Sequence, residues 1–267
     1  MRPFLMAGNW KMTKTRTEAI TFLEQLNTLM SEPQAHPKHL PLVLVAPSFT
    51  ALDACQTWLN LQASPLMVAA QTMADHTDGA YTGEISPKML TDCEVEWVII
   101  GHSERRSYYN ETDETVQAKT KLALANQLRP IVCVGETLQQ REAGETDGLV
   151  KHQVGMALAG LSASDVAPMV IAYEPVWAIG TGKVCDAAEA NRVFGVIRDQ
   201  VASMVGHEAA QAMQILYGGS MKPDNAPELL AQSDIDGGLV GGASLEAASF
   251  YTLIQQAAEA AAQPVSV

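Results

Sequence analysis

The sequence has few basic residues and no long hydrophobic run. Lysine and arginine together number 17, against 30 aspartate and glutamate residues, which gives a net charge of −13 at pH 7. Nucleic acids and anionic membrane surfaces bind basic faces, so this balance argues against both as partners. No apolar run approaches the roughly 18 residues that a membrane span requires. A small anionic ligand stays compatible with the charge, because backbone dipoles and one or two cations hold such ligands locally.

Cysteine is also scarce, and its spacing excludes two classes of structure. The chain has four cysteines, without a Cys-x-x-Cys pair: Cys55, Cys93, Cys133 and Cys185. This spacing is typical of neither a disulfide framework nor a zinc site, so we expect reduced and mostly buried thiols. The first residues lack the apolar core and small-residue cleavage site of a signal peptide, so we expect a cytoplasmic protein.

Short apolar runs of strand type recur along the chain and alternate with segments of helical spacing. Val193, Ile197 and Val201 are typical of the helical segments. Eight runs are predicted as strands: Phe4–Ala7, Leu42–Ala46, Met67–Ala70, Trp97–Ile100, Ile131–Val134, Met169–Ala172, Gln214–Tyr217 and Gly238–Val240. Strand–helix units of about 30 residues match parallel strands joined by crossovers.

This alternation predicts an α/β fold, a (β/α)8 barrel of eight parallel strands with outer helices. We expect residues 1–267 to form a single domain, in which about 256–267 are the end of the last helix and a tail. An open doubly wound sheet is the alternative. That fold usually carries a Gly-x-Gly-x-x-Gly fingerprint after its first strand, and none occurs here.

The segment from Tyr173 to Lys183 joins a lone carboxylate to a glycine-bearing loop. Pro175 biases Glu174 towards an extended backbone at the end of the sixth strand. Gly180 and Gly182 can adopt backbone angles that are closed to other residues. The segment therefore predicts a base followed by a lid. A Glu-Pro pair before a glycine-containing loop is also common as structural punctuation, so the catalytic interpretation depends on the rest of the chain.

Polar residues and glycines follow several of the predicted strands, where a barrel builds its active site. Each has an ordinary interpretation when taken alone: a solvated lysine, a histidine at a helix entry, or a turn. Their convergence on one rim favours a catalytic site. The residues are Asn9 and Lys11, then His102, Ser103 and Glu104, then Glu174, then Gly218, Gly219 and Ser220, then Gly241 and Gly242.

The glycine-rich turns after the last two strands suit a phosphate group. Backbone N–H groups that no side chain covers can surround an anion, and a short helix can direct its positive end at it. The chain has no Gly-x-x-x-x-Gly-Lys-Ser/Thr motif for a nucleoside triphosphate. A small phosphorylated metabolite is therefore the expected ligand.

Six segments in order carry a resemblance to a known family that spans nearly the whole chain. They are Gly8–Lys11 (Gly-Asn-Trp-Lys), Gly101–Arg106 (Gly-His-Ser-Glu-Arg-Arg), Val134–Glu136, Ala172–Gly182, Tyr217–Ser220 (Tyr-Gly-Gly-Ser) and Gly238–Leu245. With these motifs the chain resembles the triosephosphate isomerase family. The resemblance implies interconversion of dihydroxyacetone phosphate and D-glyceraldehyde 3-phosphate in glycolysis and gluconeogenesis, without a metal or an organic cofactor.

The resemblance also implies a role for each residue of the rim. Glu174 is the base that moves a proton between adjacent carbons, and a neutral His102 stabilises the enediolate. Lys11 and Asn9 assist electrostatically. The implied supporting residues are Ser103, which holds Glu174 at rest, and Glu104 in the polar network. The implied substrate- and phosphate-binding residues are Gly180, Ser220, Leu239, Gly241 and Gly242, under a lid formed by residues 176–183.

A homodimer is the partner that the resemblance implies. The loop Gly79–Glu84 resembles the family's segment that inserts into a second subunit, with Thr82 close to its tip. An ordinary surface turn is the alternative. Arg105 and Glu111 resemble the family's structural ion pair. Thr72 replaces the frequent Asn or Asp at its position, which affects details of the dimer contact.

The far hinge of the lid departs from the family's pattern. Val184-Cys185-Asp186 stands where the family often has Ala-Thr. Asp186 and Glu189 also fit an aspartate-started variant of a capping box that opens the next helix.

Two other functions stay open at the sequence level. One is a barrel aldolase that uses Lys11 as a Schiff-base nucleophile. The other is a noncatalytic barrel with a binding or scaffold role.

Overall fold

The computed structural model describes residues 2–31, 40–181 and 183–262. Eight strands in these residues pair in parallel, in chain order, and β8 returns to β1 to close a barrel. The strands are β1 Leu5–Asn9, β2 Leu42–Ala46, β3 Met67–Ala70, β4 Trp97–Ile100, β5 Arg129–Val134, β6 Val170–Tyr173, β7 Gln214–Tyr217 and β8 Gly237–Val240. The predicted (β/α)8 fold is therefore confirmed.

Helices surround the barrel and connect successive strands. They are α1 Arg16–Ser31, α2 Phe49–Gln62, α3 Pro87–Asp92, α4 Ser103–Tyr109, α5 Asp113–Ala125, α6 Leu138–Glu142, α7 Thr146–Leu158, α8 Ala163–Val166, α9 Ala187–Val205, α10 His207–Ala212, α11 Ala226–Leu230 and α12 Ala247–Ala262. The predicted end of the last helix is helical through Ala262, and residues 263–267 lie outside the described part.

The side chains of each strand alternate between two cores, as the period of a β-strand requires. Leu5, Ala7 and Trp97 point into the barrel, where they pack with inward residues of the other strands. Met6 and Val98 point outwards and belong to the larger core between barrel and helices. A packed barrel interior holds the strand ends in fixed positions, and the site is built on those ends.

One local prediction was wrong. The first strand runs from Leu5 to Asn9, not from Phe4 to Ala7, because Gly8 and Asn9 also pair with β2. Helical spacing at Ala118, Leu122 and Ala125 predicts a helix in that segment, and helix α5 forms there with a different face buried. Its buried residues are Val116, Lys119, Thr120 and Ala123.

Other strand limits differ from the prediction by one or two residues. Strand β5 begins at Arg129, β6 runs from Val170 to Tyr173, and β8 begins at Gly237. None of the helices in residues 2–31, 40–181 and 183–262 is long and apolar enough to span a lipid bilayer.

Candidate active site

A pocket of about 340 Å³ opens at the carboxyl ends of the strands. Its lining includes all the predicted catalytic side chains and the predicted glycine turns. The lining residues are Asn9, Lys11, His102, Glu174, Ile179, Gly180, Gly218, Gly219, Ser220, Met221, Lys222, Leu239, Gly241, Gly242 and Ala243. The structure thus brings together residues from β1, β8 and the loops after β4, β6 and β7.

Glu174 directly follows β6, and its side chain is only 2% exposed. The backbone N–H of Ser103 donates to its Oε2 over 2.8 Å, and the Ser103 hydroxyl donates to its Oε1 over 3.0 Å. His102 Nε2 lies 3.2 Å from the same Oε1. These contacts fix the carboxylate against the start of helix α4.

His102 caps helix α4 with its own imidazole. The backbone N–H of Glu104 donates to His102 Nδ1 over 3.2 Å, so that nitrogen must carry a lone pair. The other nitrogen, Nε2, then bears the proton and faces Glu174. The imidazole is therefore held as a neutral group whose N–H is directed into the pocket.

Lys11 has a left-handed backbone with φ of 53°, which is uncommon for a residue that carries a side chain. Two groups hold this conformation. Asn9 Oδ1 accepts the Lys11 N–H over 3.0 Å, and the Gln71 amide donates to the carbonyl oxygen of Lys11 over 2.8 Å. The Lys11 ammonium lies 2.6 Å from Glu104 Oε1. Backbone strain supported on both sides is typical of functional sites.

Glycine is required where the backbone approaches Glu174. A Cβ on Gly218 would come within 2.8 Å of Glu174 Cγ, and one on Gly135 within 1.7 Å of the Glu174 carbonyl oxygen. Cys133 lies beneath the carboxylate. Burial, reinforced by the charge of Glu174, holds the pKa of the Cys133 thiol well above its usual range. The thiol therefore stays protonated and adds no charge beside Glu174.

The turns after β7 and β8 present free backbone donors to the pocket. Within the part of the chain that the structure describes, no group accepts the N–H of Ser220, Gly241 or Gly242. Gly180 has a left-handed φ of 68°, and Leu239 also lines the pocket. Three unused N–H groups at one end of a pocket suit an anion.

The near side of the predicted lid is fixed to a buried carboxylate, Glu136. The Trp177 indole donates to Glu136 over 2.8 Å, and the Tyr173 hydroxyl lies 3.0 and 3.1 Å from its two oxygens. Arg141 stacks on the Trp177 ring at 4.5 Å and lies 3.4 Å from Glu136. Residues 176–178 form a short 3-10 turn. Gly182, the second glycine of this loop, lies outside the described residues.

The far side of the lid leads into helix α9, and Asp186 caps that helix. Its carboxylate accepts the N–H groups of Ala188 and Glu189. The carboxylate of Glu189 pairs with Arg192 and Arg141. Only the first half of the predicted capping box is therefore present.

The predicted dimer loop projects from the surface. The Ala74 N–H donates to the carbonyl of Ile85 over 2.8 Å and closes the base of the loop. Residues 75–84, including Thr82, are exposed. The Arg105–Glu111 ion pair is present at 2.8 Å, and Lys119 also binds Glu111 at 2.9 Å.

The sequence did not single out three polar residues that the structure places at the site. Gln71 holds the Lys11 backbone, Arg141 stacks on the lid, and Lys222 lines the pocket. The one sequence feature that could have identified them is that each follows the end of a strand, and many surface residues share this feature.

Comparison with known proteins agrees with this geometry. The family model of triosephosphate isomerase matches residues 4–257. The chain is 47% identical over 254 residues to a triosephosphate isomerase of Clostridium perfringens (strain SM101), covering 95% of this chain and 99% of that protein. It is 47% identical over 255 residues to a triosephosphate isomerase of Citrifermentans bemidjiense, covering 96% of this chain and 99% of that protein. It is 48% identical over 254 residues to a triosephosphate isomerase of Thermoanaerobacter pseudethanolicus, covering 95% of this chain and 99% of that protein.

The matched region contains all eight strands and the whole pocket lining. A similarity of this extent and level is far beyond what a shared barrel architecture alone would give. The chain belongs to the triosephosphate isomerase family.

Proposed function

We propose that the chain interconverts dihydroxyacetone phosphate and D-glyceraldehyde 3-phosphate, with Glu174 as the base. The observation that carries the proposal is the contact of 3.2 Å between His102 Nε2 and Glu174 Oε1, at a pocket that Lys11 also lines. A base, a neutral N–H donor and a cation are the groups that proton transfer beside a carbonyl requires. We assign the reaction to glycolysis and gluconeogenesis in the cytoplasm.

In the proposed reaction, Glu174 leaves Ser103 and takes a proton from the carbon beside the carbonyl. Negative charge then develops on the carbonyl oxygen, where the N–H of His102 and the ammonium of Lys11 stabilise it. Asn9 assists by holding the Lys11 backbone, since its Oδ1 accepts the Lys11 N–H over 3.0 Å. A proton passes from the neighbouring hydroxyl oxygen to the former carbonyl oxygen, and the protonated Glu174 returns its proton to the former carbonyl carbon, which leaves the new carbonyl on the neighbouring carbon. Glu104 positions Lys11 through their ion pair of 2.6 Å.

We assign phosphate binding to the free N–H groups of Ser220, Gly241 and Gly242, with Gly180 closing from the lid and Leu239 shaping the pocket wall. The lid, residues 176–183, closes over the substrate. Closure excludes water, which strengthens the charge interactions and protects the reactive enediolate. The same closure moves Gly180 over the anion, so binding of the phosphate and assembly of the site are coupled.

The proposal is tested by coupled isomerase assays on D-glyceraldehyde 3-phosphate with wild type, Glu174→Gln and Glu142→Gln. Glu142 is exposed on helix α6 and is the matched control for loss of a carboxylate. We expect full activity in the control and a loss of about a thousandfold in Glu174→Gln, about 4 kcal/mol of transition-state stabilisation. Circular dichroism checks that each variant is folded. An inactive wild type would favour the noncatalytic binding or scaffold role instead.

The aldolase alternative is disfavoured by the state of Lys11. A Schiff-base lysine must lose its proton, and an apolar site or a neighbouring cation promotes this loss. Lys11 instead has the Glu104 carboxylate 2.6 Å from its ammonium, so its neighbour is an anion and not a cation. We therefore expect borohydride treatment with substrate to leave the enzyme unmodified and active.

We also propose that residues 1–267 form one domain and that two copies form a homodimer through the loop around Thr82. Two large apolar side chains lie in solvent within one chain: Met12 is 96% exposed and Tyr81 45% exposed. A second copy would cover them. Sedimentation of wild type and Thr82→Arg tests the assignment. We expect a dimer for wild type and a lighter, less active species for the variant; unchanged mass and activity would contradict it.

A further inference from the structure

Lys222 follows β7 and lines the same pocket as Lys11 and Glu174. Its side chain is exposed. Among the described residues, no carboxylate lies within ion-pairing distance of its ammonium group. Lys11, in contrast, is paired with Glu104 at 2.6 Å. Lys222 therefore supplies a positive charge to the pocket that no side chain in the described residues neutralises.

The charge balance of the pocket makes this cation significant. His102 is neutral, and Glu104 offsets the charge of Lys11. Without Lys222, the Glu174 carboxylate would therefore give the pocket a net charge of about −1. The whole chain adds a net charge of −13. A phosphate monoester carries about −1.5 to −2 at pH 7. Without Lys222, such a ligand would approach an anionic pocket on an anionic protein.

The side chain of Asn225 holds the backbone of Lys222 beside that of Ser220. Asn225 Oδ1 accepts the Lys222 N–H over 2.8 Å, and Asn225 Nδ2 donates to the Ser220 carbonyl over 2.9 Å. The Lys222 carbonyl accepts the N–H of Ala226 over 2.9 Å. Lys222 is thus fixed at the backbone beside Ser220, one of the residues assigned to the phosphate.

We propose that Lys222 is a substrate-recognition residue that attracts the phosphate group to the pocket and sets the preference for phosphorylated over unphosphorylated trioses. The inference rests on the proposed function, which makes a triose phosphate the ligand. Its ammonium acts through the ligand's charge and takes no part in proton transfer. Electrostatic attraction of this kind raises the rate of association and weakens as salt is added.

The test compares Lys222→Gln and Lys222→Arg with Lys121→Gln. Lys121 is exposed and lies beside Gly160, which follows the carboxyl end of helix α7 and so belongs to the opposite end of the barrel. The control changes the net charge of the chain by the same amount. Three quantities are measured: kcat/KM for D-glyceraldehyde 3-phosphate over a range of ionic strength, kcat/KM for D-glyceraldehyde, and calorimetric binding of inorganic phosphate.

We expect Lys222→Gln to lower kcat/KM for the phosphorylated substrate by on the order of fivefold at low salt, with kcat nearly unchanged. The loss should shrink as ionic strength rises, and phosphate binding should weaken by a similar factor. Lys222→Arg, which keeps the charge, and Lys121→Gln should behave as wild type. Activity on D-glyceraldehyde, which has no phosphate, should be the same in all four proteins.

Two results would overturn the inference. One is equal phosphate affinity and equal salt dependence in Lys222→Gln and wild type. The other is an equal loss in Lys222→Arg and Lys222→Gln, which would show that the ammonium charge is not the cause. Failure of the proposed function gives a different result: wild type would show no isomerase activity, while phosphate binding would still depend on Lys222.

Discussion

His102 and Glu104 are joined by a hydrogen bond in which the backbone N–H of Glu104 donates to His102 Nδ1 over 3.2 Å. The bond lies at the first turn of helix α4, where backbone N–H groups have no partner within the helix. A side chain that accepts such an N–H is the usual helix cap, and here the cap is the proposed electrophile itself. The start of one helix therefore decides which nitrogen of the imidazole carries the proton.

The first prediction concerns that tautomer. In 15N NMR of histidine-labelled protein at pH 7, we expect His102 to show an unprotonated Nδ1 and a protonated Nε2, because Nδ1 accepts the Glu104 N–H. A His102→Gln variant identifies the signals by their loss. A proton found on Nδ1 of His102 would contradict the assigned hydrogen bond and, with it, the role of Nε2 as the donor.

The second prediction concerns Gln71, whose amide donates over 2.8 Å to the carbonyl oxygens of both Lys11 and Ala46. Gln71→Met leaves two carbonyls without this donor and removes a support of the strained Lys11 backbone. We expect a loss of about 1–3 kcal/mol in the free energy of unfolding and a fall in kcat/KM of about tenfold or more. Urea unfolding and the coupled assay measure them. The control is Gln139→Met, at an exposed position of helix α6; equal behaviour of both variants would refute the role of Gln71.

The third prediction concerns the near side of the lid. Trp177→Phe keeps an aromatic ring but removes the N–H that donates to Glu136 over 2.8 Å. Glu136 keeps its contacts with Tyr173, so we expect a modest loss of stability of about 1 kcal/mol and a several-fold lower kcat from a less well-fixed lid. Thermal unfolding and steady-state kinetics measure the two effects. Trp58→Phe on helix α2 is the matched control, and an unchanged kcat in Trp177→Phe would argue against the anchor.

The fourth prediction concerns acid stability. Burial alone would raise the pKa of Glu111, but Lys119, Arg105 and the Gly101 N–H outweigh it, so the pKa lies below its ordinary 4.5. Glu111 therefore stabilises the folded protein above about pH 4.5, and this contribution is lost as the pH falls below that value. Glu111→Gln leaves Lys119 buried without its counter-charge and should destabilise the protein by about 3 kcal/mol at pH 7.

Urea unfolding between pH 3 and pH 7 tests this prediction. The difference in unfolding free energy between wild type and Glu111→Gln should shrink as the pH falls, because the wild type loses its charged Glu111 contacts. The exposed control Glu142→Gln should follow the wild type at every pH. A difference that stays constant from pH 7 to pH 3 would show that the ionised Glu111 is not the source of the stability.

Apolar runs predicted the barrel well because strands buried on both faces are apolar throughout. The same criterion placed the end of β1 at Ala7, because Gly8 and Asn9 do not continue the apolar run. In the structure both residues pair with β2. On helix α5, pairing with Glu111 allows Lys119 to be buried. Apolar spacing cannot detect a polar residue that is buried because it pairs with a residue of opposite charge.

The candidate site was predicted from motifs, and its supporting contacts were not. Glu174, His102 and Lys11 stand in recognisable segments, so their positions on one rim follow from the order of strands. Gln71 acts through the position of its side-chain amide, and Lys222 acts through the position of its ammonium group. No local sequence pattern predicts either position. The structure was needed to show that one supports Lys11 and the other lines the pocket.

The central claim, that Glu174 moves a proton between carbons, is tested most directly by turnover of dihydroxyacetone phosphate in D2O. NMR of the product is compared for wild type and Glu174→Gln. We expect carbon-bound deuterium at C2 of the wild-type product, because a carboxyl proton exchanges with solvent before its return, and almost no product from the variant. Rapid turnover by a folded Glu174→Gln variant would contradict the claim.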